Sequence, residues 1–250
     1  MANRSRVGGA EYRPLAPQIT SRRRLTGPRA ALARAWLVFR HRWLGRRYGR
    51  LVIETIDGVP LVVLPDVFNP VLFRGGELLA RTIAGHPLLA APGLSVLDLG
   101  CGSGVVSVFA ARGGARVIAA DINPAAVRCA RLNTLLNGVE AQVEAREGDL
   151  FGPVAGEQFD LVVFNPPFFR GRPQTALDHA WRGETVFERF AAGLAPHLRP
   201  GGRAWILLST DGDGAELLAL LSAQGFGLEV VAERRWWNEI MTIFAASLPT

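Results

Sequence analysis

A chain of 250 residues with 49% hydrophobic content and a formal net charge of +6 can bury one substantial core plus an appendage. It shows neither an apolar run long enough to span a bilayer nor a secretory leader pattern. Its two cysteines, Cys101 and Cys129, are too few for a zinc site, and its histidines sit away from metal-ligand spacing. The expectation is a cytoplasmic protein with small buried thiols, no metal and no integral membrane association.

Charge is unevenly spread. Residues 1–50 hold thirteen arginines against Glu11 alone, a balance of +12, and the remaining residues carry −6. Residues 1–27, with clustered Pro, Gly, Ser and Arg, predict a disordered basic tail. From Pro28 to Tyr48, Leu32, Trp36, Phe39 and Trp43 recur at helical spacing, with Arg34, Arg40, Arg42, Arg46 and Arg47 on the other faces. This arm can pack its Trp/Phe stripe on the rest of the protein, contact RNA or a ribosome-associated partner, or lie on an anionic membrane surface; the first is favoured.

Leu51–Ile56 and Val59–Leu64 flank Asp57-Gly58, a hairpin signal, with Pro60 suited to an edge strand. A short helix over Gly76–Ile83 follows. Next, an apolar strand, Val96-Leu-Asp98-Leu, runs into Gly100-Cys-Gly102-Ser-Gly104 and then a helix over Val105–Ala111. Glycines there admit positive φ and close approach of a ligand at the positive end of a helix. The dinucleotide pattern G-x-G-x-x-G fails on both registers, because Val105 and Ser107 stand where its third glycine belongs. A ligand without a diphosphate fits better, and S-adenosyl-L-methionine is the candidate.

A second strand, Arg116–Asp121, ends in an acid placed to accept both ribose hydroxyls, beside the apolar Ile122. Asn123-Pro124 opens a helix as N-cap and first helical residue, and Asn137-Gly138 closes it. A third strand near Ala141–Arg146 leads to Asp149-Leu150, a carboxylate for an adenine amine and an apolar side chain for its ring. Asp98, Asp121 and Asp149 thus fall at successive strand ends, on the carboxyl edge where open α/β sheets bind ligands.

The fourth strand, Phe159–Phe164, stops at Asn165-Pro166-Pro167-Phe168. This rigid turn presents an amide, fixed carbonyls and a flat ring, a set suited to gripping a planar –NH2. Arg203–Ser209 reads as a fifth strand, Ala215–Gln224 as a helix stopped by Gly225, and Leu228–Glu233 with Met241–Ala246 as a closing antiparallel pair. Arg234, Arg235, Trp236, Trp237 and Asn238 are expected between those two strands.

Asp98-Leu-Gly-Cys-Gly-Ser-Gly-Val-Val-Ser107, Asp121-Ile-Asn-Pro124 and Phe164-Asn-Pro-Pro-Phe168 resemble the class I S-adenosylmethionine-dependent methyltransferases. More narrowly they are similar to the HemK-like branch, whose members methylate the glutamine side-chain nitrogen of translation release factors. Ala180-Trp-Arg-Gly183, Phe187-Glu-Arg-Phe190 and Leu198-Arg-Pro-Gly-Gly202 also look like the stand-alone form of that branch. The Asn-Pro-Pro-Phe motif is shared with enzymes acting on adenine, cytosine or rRNA guanine.

The resemblance implies an α/β, Rossmann-like fold: a seven-stranded, mostly parallel sheet with an antiparallel last strand. Its methyltransferase domain spans 67–250, after a helix and β-hairpin appendage over 28–66. The cofactor set is Asp98, Gly100, Gly102, Gly104, Asp121, Ile122, Asp149, Leu150 and Asn165; the catalytic set is Asn165, Pro166 and Phe168. In-line methyl transfer follows, with Asn165 Oδ1 and the Pro166 carbonyl accepting the two N–H bonds and Phe168 stacking on the target plane. The acceptor is a protein glutamine, as in release factors; the alternative is an exocyclic amine of an RNA or DNA base.

Overall fold

The computed structural model describes residues 50–90, 93–169, 171–172, 180, 182–237 and 239–249. The expected basic tail, the helix bearing Leu32, Trp36, Phe39 and Trp43, and residues Trp181 and Asn238 lie outside the described residues.

Strands β1 (Val52–Ile56) and β2 (Val59–Val63) form a separate antiparallel ribbon across Asp57-Gly58. Both turn residues have positive φ, 48° and 80°, the geometry whose twist matches that of flanking strands. Pro60 sits opposite Thr55 in a ribbon that has only edges, so its missing N–H is tolerated. Helix α1 (Gly75–Gly85) leads into the main sheet.

That sheet has seven strands: β3 (Ser95–Leu99), β4 (Arg116–Asp121), β5 (Val143–Glu147), β6 (Phe159–Phe164), β7 (Leu198–Ser209), β8 (Gly227–Arg235) and β9 (Ile240–Ser247). Their order is β5-β4-β3-β6-β7-β9-β8. The first five in that order pair in parallel, and β9 runs antiparallel to both neighbours. The expected fold class is therefore observed. Between β3 and β6 the chain changes its direction of travel across the sheet, the point at which such sheets open a crevice.

Helices α2 (Val105–Arg112), α3 (Pro124–Leu136), α4 (Val186–Leu194) and α5 (Gly214–Ala223) cover the faces. Alternate strand residues split the core. Val96, Leu161, Val163, Trp205 and Leu207 pack with α1 and α2, whereas Leu97, Val162, Phe164 and Ile206 pack with α4 and α5. Burial on both faces explains why β3 and β6 read as continuous apolar runs. Asn133, wholly buried on α3, ties three segments together: its Oδ1 accepts from Val62 N at 2.7 Å, and its Nδ2 donates to the Val62 and Ser103 carbonyls at 2.7 and 2.8 Å.

Two boundaries correct the sequence reading. Strand β8 runs on through Arg234 and Arg235, which pair with Met241 and Ile240, so both belong to the sheet and not to the turn. Strand β7 begins at Leu198, opposite Phe159, with a register shift before the regular ladder starts at Leu161 and Arg203.

Candidate functional site

One cleft opens at the carboxyl ends of β3, β4 and β6, and most of the expected residues line it. From β3 and its loop come Asp98, Gly100 and Gly102; from β4, Asp121 and Ile122; after β5, Asp149 and Leu150; after β6, Asn165, Pro166 and Phe168. Gly104 is the exception. It caps α2 with φ of 73°, and a Cβ there would stand 2.8 Å from both Cα and Cβ of Ala130 on α3. Its lack of a side chain lets two helices meet; it does not face the cleft.

Asp98 is 4% exposed, and its Oδ2 accepts the Ser107 N–H at 3.0 Å and the Ser107 hydroxyl at 2.6 Å. Burial pushes its carboxyl up to about 6 against the opposing pull of those hydrogen bonds, and the nearby Asp121 charge adds to the rise. The carboxylate thus fastens the glycine loop to the first turn of α2. Asp121 does the equivalent at the next strand end: Oδ2 accepts from Gly102 N at 2.9 Å and Oδ1 from Asn123 N at 2.8 Å. Asn123, as expected for an N-cap, accepts from Ala125 N at 2.9 Å.

Asp149 differs from its expected role in one respect, because its Oδ2 is held 2.7 Å from Arg189 Nη2 on α4. Oδ1 and the second lone pair of Oδ2 are left for a ligand amine. Leu150 and Ile122 supply the apolar walls, and Ile122 is 42% exposed at the rim.

In the part of the cleft after β6, Pro166 and Pro167 are buried and Phe168 is partly so. Asn165 Oδ1 is buried and has no hydrogen-bond partner. Leaving an amide oxygen in this condition costs about 1–3 kcal/mol. The start of α1 lies next to the same side chain: a Cβ at Gly75 would be 3.5 Å from Asn165 Nδ2 and 3.7 Å from Oδ1, ordinary contact distances. Behind Phe168, Asp213 N donates to its carbonyl at 2.9 Å, and a Cβ at Gly212 would approach that oxygen to 2.7 Å.

Several lining residues were missed from sequence: Asp66, Phe68, Pro70, Ser103, Asn123 and Arg182. A usable signal exists for the Phe68-Asn-Pro70 segment. Asn69 Oδ1 accepts from Val71 N at 2.9 Å and Leu72 N at 3.0 Å, an Asx turn that an Asn-Pro pair announces. Its Nδ2 reaches Glu54 Oε1 at 2.8 Å, which docks β1 beside the cleft mouth. Ser103 had no such signal; it is 2% exposed, and its Oγ is without a hydrogen-bond partner.

Cys101 lines the cleft as a buried thiol that burial and the Asp121 and Asp98 charges push well up. Cys129 is pushed up to about 11, chiefly by burial. Neither is poised as a thiolate. Among the described residues no group of three His, Cys, Asp or Glu could hold a metal ion, and no helix is long and apolar enough to cross a membrane.

The cleft fits a methionine-linked nucleoside. Its strand-end carboxylates suit ribose and amine, its glycine loop leaves room for close approach, and the orphaned hydroxyl of Ser103 lies in the same wall. Comparison with known proteins agrees. A family model, methyltransferase small domain, matches residues 59–234. A Methanocaldococcus jannaschii protein, provisionally named a protein N5-glutamine methyltransferase, is 32% identical over 205 residues, 78% of this chain and 98% of its own.

The ribosomal RNA small subunit methyltransferase C of Alcanivorax borkumensis is 35% identical over 64% of this chain, which spans only 45% of that relative. Among solved structures, a T. thermophilus 16S rRNA N2 G1207 methyltransferase, in complex with AdoMet and guanosine, superposes with a TM-score of 0.58 at 22% identity. It covers 80% of this chain and 50% of that one. An E. cuniculi Mtq2–Trm112 complex gives 0.56 at 22% identity, over 74% of this chain and 99% of that one, and shows the same fold. The chain belongs to the methyltransferase small domain family of class I S-adenosylmethionine-dependent methyltransferases.

Proposed function

We propose that this protein transfers the sulfonium methyl group of S-adenosylmethionine to the –NH2 of a glutamine side chain in a protein substrate. The observation that carries the reading is the buried, unbonded Oδ1 of Asn165, which lines the cleft together with Pro166, Pro167 and Phe168. A hydrogen-bond acceptor kept from water and from protein partners is satisfied only by an incoming donor. A planar amide supplies two N–H bonds.

Asp121 would hold the ribose hydroxyls and Asp149 the adenine amine, with Gly100, Gly102 and Asp98 shaping the loop under the methionine part. The bound donor would supply the electrophilic methyl and leave as the thioether S-adenosylhomocysteine, and the extra proton on the methylated nitrogen would pass to water. An amide nitrogen is a poor nucleophile because its lone pair is delocalised into the carbonyl. Accepting one N–H at Asn165 Oδ1 and the other at the Pro166 carbonyl draws electron density onto nitrogen and turns its lone pair toward the cofactor half. Phe168 would fix the acceptor plane. Positioning and fixed dipoles carry this chemistry; no general base is needed before the methyl is transferred.

The full-length match to the archaeal relative supports glutamine as the acceptor. A second reading, an exocyclic base amine, is supported by the 35% identity to an rRNA methyltransferase. Labelling a cell extract with radioactive cofactor and digesting separately with protease and nuclease tests the choice. Label lost to protease supports glutamine, and label lost to nuclease overturns it in favour of a base. Asn165→Ala should retain the heat of cofactor binding while turnover falls about 100-fold or more, the scale of losing one such catalytic contact. An Ala variant with parental turnover would refute the assigned role.

A further inference from the structure

A continuous apolar surface lies outside the cleft, on the β1–β2 ribbon and the flank of α3. Alternation along the ribbon turns Ile56, Val59, Leu61 and Val63 into the core, so Leu51, Ile53, Pro60 and Val62 share the outer face. Ile53 and Val62 stand opposite each other across the ribbon. The free edge of β2 is bonded to one row of α3. Cys129 Sγ donates to the Val62 carbonyl at 3.2 Å and Asn137 Nδ2 to the Pro60 carbonyl at 3.0 Å, with Asn133 between them. On one side of that row Ala126, Val127, Ala130 and Thr134 are buried. Leu132 and Leu136 fall on the other side, next to the outer face of the ribbon.

Leu51 is 57% exposed, Ile53 68%, Leu132 45% and Leu136 49%. A single exposed leucine needs no account, but apolar side chains gathered from three elements into one patch mark an interface. The ribbon also backs the cleft wall. Glu54 Oε1 accepts from Asn69 Nδ2 at 2.8 Å, between the lining residues Phe68 and Pro70.

We propose that residues 28–48 of the same chain cover this surface, laying Leu32, Trp36, Phe39 and Trp43 along the ribbon and the Leu132–Leu136 flank of α3. That segment lies outside the described residues, and the chain leads from it through Gly49 and Arg50 directly into Leu51, on the surface itself. The step from Tyr48 to Leu51 reaches about 10 Å at most, which keeps the apolar stripe beside this end of the ribbon. Lengths agree as well: from Leu32 to Trp43 a helix spans about 17 Å, and a five-residue strand such as β1 spans about the same. Charge favours this occupant over a second copy. Residues 1–50 carry +12 against −6 on the rest, whereas two whole chains, each +6, repel. None of this depends on which nitrogen is methylated.

Urea unfolding of the full chain, followed by circular dichroism, tests the docking. Ile53→Ser and Leu132→Ser alter side chains that, with nothing over them, would leave the midpoint nearly unchanged. Under a docked segment each should lower it by about 0.5 M. In a chain that already carries Trp36→Ser and Trp43→Ser, the same two substitutions should no longer shift it, because the partner they lose is gone. Equal shifts in both backgrounds, or no shift in either, would overturn the proposal.

Hydrogen exchange gives a second readout that needs no tryptophan variant. Amides of residues 32–43 should exchange about tenfold faster in Ile53→Ser than in the parent, and identical exchange would again count against docking. Sedimentation of the parent should show one species at all concentrations. A concentration-dependent dimer that Ile53→Ser abolishes would assign the surface to a second copy and overturn the proposal.

Discussion

Gly102 and Gly104 are two residues apart in one motif, and the structure gives them different work. A methyl group at Gly104 would press on Cα and Cβ of Ala130 at 2.8 Å, where backbone cannot rotate away. The left-handed φ of 73° adds about 1–2 kcal/mol for a non-glycine residue, and overpacking adds about 1–3 kcal/mol. Gly104→Ala should therefore lose about 2–5 kcal/mol. With a urea slope of about 3 kcal/mol/M, the unfolding midpoint should fall by roughly 1 M.

At Gly102 a Cβ meets only Phe68 Cβ at 3.9 Å, an ordinary contact. Gly102→Ala keeps the backbone cost alone, about 1–2 kcal/mol, but puts a methyl into the cleft wall. Its midpoint should fall about half as far or less, while S-adenosylmethionine binding by calorimetry should weaken sharply. Gly104→Ala, measured on its folded fraction, should bind the donor nearly as the parent does. Equal midpoints, or a stable Gly104→Ala that fails to bind, would refute this division between a packing glycine and a ligand glycine.

Asp98, raised to about 6 in the fold against about 3.8 for a free carboxyl, binds its proton more tightly when folded. Its contribution to stability is present below about pH 3.8 and is lost as pH rises through 6, about 3 kcal/mol in all. Asp98→Asn, compared with the parent by urea unfolding at pH 4 and 7, should remove that much of the decline; an unchanged difference would show that Asp98 is not desolvated. Asp121→Ala should weaken donor affinity in calorimetry, because the carboxylate organises the Gly102 and Asn123 amides at the cleft wall. Gly212→Ala should lower kcat with donor affinity kept, since its Cβ would push on the Phe168 carbonyl from 2.7 Å.

Much of the cofactor half was legible because its signals are local. Asp121 and Phe164 end their strands where the turn chemistry of Asn123-Pro124 and Asn165-Pro166-Pro167 says they must. What escaped was non-local. A glycine motif cannot reveal that Ala130 approaches Gly104, nor can charge at Arg234 and Arg235 show that an edge strand continues through them. Helix α4 was quoted only as a resemblance, although Phe187, Phe190 and Leu194 are buried at helical spacing. Arg74 carries no periodic or motif signal. Its stacking on Trp236 arises only when α1 and the β8–β9 tip are folded together.

The same contrast bears on specificity. On the proposed reading the cleft is zoned: carboxylates at three strand ends would face a cationic donor, while Asn165 and Phe168 would present an uncharged amide and ring to a neutral nitrogen. A glutamine amide and a base amine offer that pocket the same group, an sp2 nitrogen with two hydrogens and a plane to stack. Nothing within hydrogen-bond reach of the reacting nitrogen therefore separates the two substrate classes strongly. Discrimination has to come from what the substrate carries beyond the methylated group, and so from the rim. Residues at that rim would select by the macromolecule attached to the nitrogen, at a distance from the chemistry. A related cleft can then serve glutamine-directed and base-directed enzymes, with the surface around it deciding between them.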